Sequence, residues 1–180
     1  MTKRVLCLLF PGFEEIETIT PIDLLRRAGA KVILASVTGE SSVTGRSELT
    51  LLADLSLEEV IRDPFDLLLI PGGPGVKTLR SDGRPARLAR DYHKAGRLVG
   101  AICAAPTVLA DAGVLEGKRF TAHCSVHAEL PGALGEERVV EDGALITSRG
   151  AGTAVEFGLV LVKHLFGEAK AREVSDSIMF

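Results

Sequence analysis

The sequence predicts an α/β protein built on a mostly parallel, doubly wound sheet with helices on both faces. Three observations carry that expectation. Short apolar runs such as Val5-Leu6-Cys7-Leu8-Leu9-Phe10 and Leu67-Leu68-Leu69-Ile70 have the pattern of strands covered on both sides. Segments of helical pattern alternate with them along the chain. Glycines at 29, 96, 113 and 167 fall where each such helix would end.

Taken in order, the first run ends at Pro11-Gly12. Glu15 to Ala28 follows as a helix, with Ile16, Ile19, Ile22 and Leu24 or Leu25 on one stripe. Lys31 to Val37 is a second strand, which completes a right-handed βαβ unit. Ser41 to Ala53 alternates weakly and is expected to form an antiparallel excursion. Ser56-Leu57-Glu58-Glu59 fits a capping box and starts a short helix. The third strand, Asp66 to Ile70, runs into Pro71-Gly72-Gly73-Pro74-Gly75, where the backbone can turn sharply. Pro85 to Ala95 reads as a helix, Leu98 to Ile102 as the fourth strand, and Ala104 to Ala112 as a helix. A short fifth strand is expected at Arg119 to Ala122, ending at His123. Val139-Val140 and Leu145-Ile146-Thr147 flank Glu141-Asp142-Gly143 as a hairpin. Thr153 to Phe166 and Glu168 to Ile178 read as the last two helices.

The bulk numbers bound the function. The 180 residues are 46% hydrophobic and 25% charged, which suits one globular domain spanning 1–180. A net charge of −3 gives no drive toward nucleic acid or an anionic membrane. No apolar run reaches the roughly 20 residues of a spanning helix. The basic start and first apolar run are interrupted too early, by Pro11, Gly12 and Glu14, to act as a signal peptide. A cytoplasmic location is therefore expected. Three widely spaced cysteines make neither a disulfide framework nor a zinc site, so no metal is expected.

In such sheets ligands bind beyond the C-terminal ends of the strands. Chain order alone brings Pro71-Gly72-Gly73, Cys103, His123 and the acidic cluster Glu14, Glu15 and Glu17 to that edge. A thiol at a helix N-terminus meets unpaired N–H groups and the positive end of the dipole, so its pKa should fall. The small neighbours Ala101, Ala104 and Ala105 would let a tight turn expose the sulfur. A buried cysteine is also ordinary packing, which is the reading given to Cys7. His123 could relay protons, with His127 and Cys124 as competitors. A protonated Glu17 could donate a hydrogen bond to the sulfur, whereas an ionised one would oppose the thiolate. Glu14 and Glu15 read as a surface pair complementing a helix dipole. Gly72-Gly73 could present N–H groups to an oxyanion, or be a plain turn. Arg26 and Arg27 read as capping a helix C-terminus, with an anion site second. No Gly-x-Gly-x-x-Gly follows the first strand, which argues against a dinucleotide fold.

Five motifs resemble one known family: Pro11-Gly12-Phe13-Glu14-Glu15-Ile16-Glu17-Thr18, Ile22-Asp23-Leu24-Leu25-Arg26-Arg27-Ala28-Gly29, Leu69-Ile70-Pro71-Gly72-Gly73, Ala101-Ile102-Cys103-Ala104-Ala105-Pro106 and Thr147-Ser148-Arg149-Gly150-Ala151-Gly152-Thr153. The sequence is similar over nearly its whole length to the ThiJ/PfpI (DJ-one) superfamily, on the branch of the parkinsonism-associated protein and its bacterial relatives. That resemblance implies a flavodoxin-like three-layer sandwich and a homodimer. It makes Cys103 an oxidation-prone nucleophile, Glu17 a buried protonated carboxyl and His123 the pocket histidine. Gly72, Gly73 and Ala104 would supply N–H groups around the sulfur.

The implied activity is that of a cofactor-free glyoxalase or deglycase on 2-oxoaldehydes such as methylglyoxal or on their adducts with proteins. The alternative is a redox sensor or chaperone whose Cys103 oxidises to the sulfinate without turnover. Ala104 stands where the protease-like branch has His, so peptidase activity is not expected. Cys124 stands where this branch often has Pro and could be a second redox-active thiol. A glutamine amidotransferase would show Gly-x-Cys-x-Gly and a late His-x-Glu, and this chain has neither.

Overall fold

The structure is a computed structural model and describes residues 2–180. Its elements run β1 (Arg4–Leu9), α1 (Glu15–Arg27), β2 (Lys31–Ser36), β3 (Ser42–Thr44), β4 (Thr50–Leu52), β5 (Leu55–Ser56), α2 (Leu57–Val60), β6 (Leu67–Ile70), α3 (Val76–Asp82), α4 (Arg84–Lys94), β7 (Leu98–Ile102), α5 (Pro106–Asp111), β8 (Val139–Asp142), β9 (Leu145–Ser148), α6 (Ala154–Phe166) and α7 (Glu168–Ser177). Seven strands form one sheet in the order β5-β2-β1-β6-β7-β9-β8. All neighbours in it are parallel except the β8–β9 hairpin. β3 and β4 pair with each other as a separate antiparallel hairpin, the expected excursion.

The continuous apolar runs are explained by two cores. Strand side chains alternate between faces. Val5, Cys7, Leu67, Leu69 and Ile102 pack on one face with Leu25 of α1, Phe157 and Leu161 of α6 and Val174 of α7. Leu6, Leu8, Leu68, Ile70, Val99 and Ala101 pack on the other with Leu57 of α2, Leu79 of α3, Leu88 of α4 and Val108 of α5. The chain is therefore the expected three-layer sandwich. α1 and α6 cross closely because Gly158 has no side chain. A Cβ there would lie 3.2 Å from the Pro21 Cα and 2.6 Å from Leu24 Cδ1.

Several expectations need correction. Ile16 and Ile19 do not join the buried stripe of α1; they are 53% and 41% exposed. The buried side of its first turns carries Glu15, Glu17 and Thr18 instead. Glu14 and Glu15 are not a surface pair either, being 8% and 6% exposed. The helix after Cys103 begins at Pro106, so residues 104 and 105 form a turn rather than its first residues. Arg119 to Ala122 does not join the sheet. Its polar groups are met singly: the Arg119 N–H donates to Asp142 Oδ2 (2.9 Å) and the Thr121 N–H to Thr147 Oγ1 (2.9 Å). Side chains thus stand in for a ladder. α3 has no start signal in the sequence, because its N-cap, Gly75, offers no side-chain acceptor.

Candidate functional site

Cys103 closes β7 in a left-handed backbone conformation, φ +66°. For a residue with a Cβ that costs about 1–2 kcal/mol, and two hydrogen bonds hold it there. The Cys103 N–H donates to the Ser148 carbonyl (2.8 Å), extending the β7–β9 ladder. The Cys103 carbonyl accepts the His123 N–H (2.9 Å). The same contact that fixes the elbow thus delivers His123 to it, although residues 119–122 form no strand.

Glu17 comes in from the first turn of α1 and is 1% exposed. Its Oε2 accepts the Gly72 N–H at 3.1 Å. The thiol of Cys103 and the N–H of Ala151 also face this carboxyl. Only glycine fits at position 72. A Cβ there would fall on Glu17 Oε2 and lie 2.6 Å from the Cys103 Cβ. Gly73, φ +110°, turns its N–H toward the sulfur, as does Ala104.

The electrostatics differ from the expectation of a lowered thiol pKa. Burial, and then the negative charge of Glu14, push Glu17 up to about 7 against the pull of its hydrogen bonds. Burial, and then an ionised Glu17, push Cys103 up to about 12, while the Gly73 and Ala104 N–H groups pull it down. The helix contributes less than expected because its first residue is three positions on. The two groups titrate as a pair. One proton leaves near 7, and the pair then shares the other over the range up to about 12.

His123 Nδ1 accepts the Ser125 N–H at 3.2 Å and lies 2.9 Å from Ser125 Oγ. An accepting Nδ1 leaves the proton of the neutral ring on Nε2. The competitors are elsewhere. His127 Nε2 is 3.0 Å from the Ala122 carbonyl, and Cys124 is exposed; neither lines the cavity at Cys103. Glu15 turns to the β3–β4 connection, where its Oε1 accepts the Ser47 N–H (2.7 Å). Arg26 and Arg27 reach the Val32 carbonyl and Asp23 and form no anion site.

A cavity of about 580 Å³ opens over the sulfur, its walls including Glu17, Gly73, Cys103, Ala104, His123 and Ala151. Glu14 and Arg46 also line it, and the sequence reading assigned neither to the site. The Glu14-x-x-Glu17 spacing, an N-cap and N3 pair, was the available signal for Glu14. Arg46 lies on the weakly patterned excursion and carried no signal. Among the described residues no cluster of three or more His, Cys, Asp or Glu is placed to hold a metal ion. No described helix is long and apolar enough to cross a membrane.

Residues 3–164 match the DJ-1/PfpI family. The chain belongs to that family. Protein dj-1beta of Drosophila melanogaster is 41% identical over 183 residues, covering 99% of this chain and 98% of its own. The crystal structure of that fly protein superposes with a TM-score of 0.95 over 99% of this chain and 98% of that one. The structure titled Toxoplasma gondii DJ-1, oxidized, is 30% identical with a TM-score of 0.94, covering 99% of both chains. The Caenorhabditis elegans protein named glutathione-independent glyoxalase DJR-1.2 is 36% identical over 176 residues, 96% of this chain and 94% of its own. The fold is the flavodoxin-like sandwich of these DJ-1 structures.

Proposed function

We propose that the protein is a cysteine-dependent glyoxalase, and a deglycase-like enzyme by the same chemistry, acting on 2-oxoaldehydes such as methylglyoxal or on their protein adducts. The observation that carries this reading is the buried Glu17 carboxyl, pushed up to about 7 and bonded to Cys103 at the base of a cavity. A neutral carboxyl next to a thiolate can donate a proton and then take one back near neutral pH. The naming of a 36% identical relative as a glyoxalase supports the same class.

In the reactive state the shared proton sits on Glu17 and the sulfur is the anion. The thiolate attacks the aldehyde carbon, and Glu17 gives its proton to the new alkoxide, forming a hemithioacetal. The N–H groups of Gly73 and Ala104 stand beside the sulfur, where that charge leaves. Glu17, now a carboxylate, takes the proton from the former aldehyde carbon. The Nε2–H of His123 protonates the ketone oxygen, giving an enediol. Glu17 returns its proton to the former ketone carbon, and His123 recovers one from the other hydroxyl. The product is a thioester of the 2-hydroxy acid. Water hydrolyses it, releasing lactate from methylglyoxal and freeing Cys103. Each step uses the chain's own groups and water. Purified protein incubated with methylglyoxal should form lactate, and Cys103→Ser should lower the rate by at least about 10³-fold. Equal rates for the two proteins would refute the mechanism.

The second reading is a stress sensor or chaperone without turnover, in which Cys103 is oxidised to the sulfinate. It is favoured by the exposure of Cys103 to the cavity while Cys7 is sealed in β1. After mild peroxide, mass spectrometry should find two added oxygens on Cys103 alone. Oxidation spread over Cys7, Cys103 and Cys124 would sink it. We place a second copy of the chain against the outer side of α1, where Ile16 and Ile19 are exposed. Light scattering should give a dimer, and Ile16→Glu should shift it to monomer. A wild-type monomer at high concentration would exclude this.

A further inference from the structure

Glu14 lines the cavity over Cys103 and is hydrogen-bonded to the main chain of Glu17, yet it takes no part in the reaction above. It caps α1: its carboxylate Oε2 accepts the Glu17 N–H at 2.8 Å. Its own N–H donates to the Gly72 carbonyl at 3.0 Å. The Gly72 N–H donates to Glu17 Oε2 at 3.1 Å. The three bonds close a ring through Glu14, Gly72 and Glu17. The Glu14 carbonyl also accepts the Thr18 hydroxyl at 2.7 Å, which locks the turn.

Capping alone does not require this residue. Ser, Asp or Asn caps a helix at least as well with a shorter side chain. Glu14 instead carries a second carboxylate, 8% exposed, into the wall of the cavity that holds the first. Two buried carboxylates three residues apart repel when both are charged, so such a pair is costly unless one keeps its proton. The Glu17 N–H and the positive end of α1 lie against the Glu14 carboxylate. The proton therefore belongs on Glu17.

We propose that Glu14 is the positioning residue of this site: it fixes the main chain of Glu17 and Gly72, and its negative charge shifts the shared proton of the Glu17–Cys103 pair from the sulfur toward the carboxyl. The inference rests on the paired roles given above to Cys103 and Glu17, and it concerns their protons rather than their substrate. The other charged or titratable groups facing the cavity are His123, Arg46, Lys77, Arg80 and Glu129. Arg80 is taken up by Asp111 and Glu129 at 2.7 Å each. The side chains that act on the Glu17 proton are Cys103 and Glu14, the one through a hydrogen bond and the other through its charge.

The test follows the Glu17 carboxyl by ¹³C NMR in glutamate-labelled protein, its signal identified by its loss in Glu17→Gln, together with the rate of Cys103 alkylation across neutral pH. In wild type the Glu17 midpoint should lie at about 7. Glu14→Gln keeps the acceptor and removes the charge. It should lower the midpoint by about one unit and the alkylation plateau roughly tenfold, because the shared proton moves to sulfur. A merely structural role would lower the plateau without lowering the midpoint. An unmoved or raised midpoint in folded Glu14→Gln overturns the proposal. Should that variant not fold, Glu14→Asp and Glu14→Asn are compared, two good caps that differ in charge. A higher Glu17 midpoint in the Asp variant supports the proposal, and equal midpoints overturn it. Lactate formation plays no part in either readout, so a failure of the glyoxalase reading is recorded separately.

Discussion

Cys7 lies within β1 and Cys103 directly after β7; Cys7 belongs to the core between the sheet and α1, α6 and α7, and Cys103 packs against that core from its edge. Cys7 lies inside β1 at 0% exposure, and its S–H reaches only the Leu8 carbonyl at 3.9 Å. Burial drives its thiol far upward, with nothing but Arg26 pulling back. Cys103 is also driven up by burial, to about 12, but it lines a cavity and faces the Glu17 carboxyl and the Gly73 and Ala104 N–H groups. Burial is common to both. What separates them is a turn of the backbone at φ +66°, which takes one sulfur out of the pleat and into reach of a carboxyl and two N–H groups.

The comparison is broken most severely by the same substitution at both places. Cys7→Gly should lose roughly 3–4 kcal/mol, from the cavity and from glycine's entropy in a central strand. A urea titration measures it; a loss below about 1 kcal/mol would mean that β1 is not the packed centre described here.

The second effect concerns pH. Glu17 is ordinarily near 4.5 and stands at about 7 in the folded chain. A carboxyl raised on folding stabilises the protein fully below its unfolded pKa, and the benefit is lost as pH rises through the folded value. Stability should therefore fall between about 4.5 and 7, by up to about 3 kcal/mol. Glu17→Gln should flatten that slope. The same variant should change the thiolate absorbance of Cys103. Two steps, near 7 and near 12, should become one at an intermediate pH. Two unaltered steps would show that the carboxyl and the thiol are not coupled.

The smallest effect has the opposite sign. Cys103→Gly relieves the left-handed strain at the expense of the sulfur's contacts, and should leave stability unchanged or raise it by about 1 kcal/mol while abolishing alkylation in the cavity. A loss as large as that of Cys7→Gly would mean that the elbow is ordinary packing.

The strands were legible in the sequence because each lies between two helical layers and must be apolar on both faces; β1 and β6 show this. The sheet edge then gave Cys103, Glu17, His123 and Gly72-Gly73 by chain order. What stayed hidden depended on contacts made at a distance. The segment at Arg119 has a strand's residues, but Asp142 and Thr147 side chains take the bonds a strand would offer. Ile16 and Ile19 have helical spacing, yet the sheet edge beside α1 is polar, so the face with Glu15, Glu17 and Thr18 turns inward. Glu14 looked like a dipole complement because its second role appears only when Gly72, distant in sequence, closes the ring.

The two bonds that hold Cys103, from its N–H to Ser148 and to its carbonyl from His123, bear on how the molecule comes into being. Neither exists until segments 45 and 20 residues downstream have arrived, and Glu17 must come from 86 residues upstream (148 − 103, 123 − 103 and 103 − 17). A nascent or partly opened chain thus carries an unremarkable cysteine. The upward push on the Cys103 thiol is therefore a property of the finished fold, and the coupled titration of Cys103 and Glu17 should vanish before β1 and β6 melt when the chain is warmed.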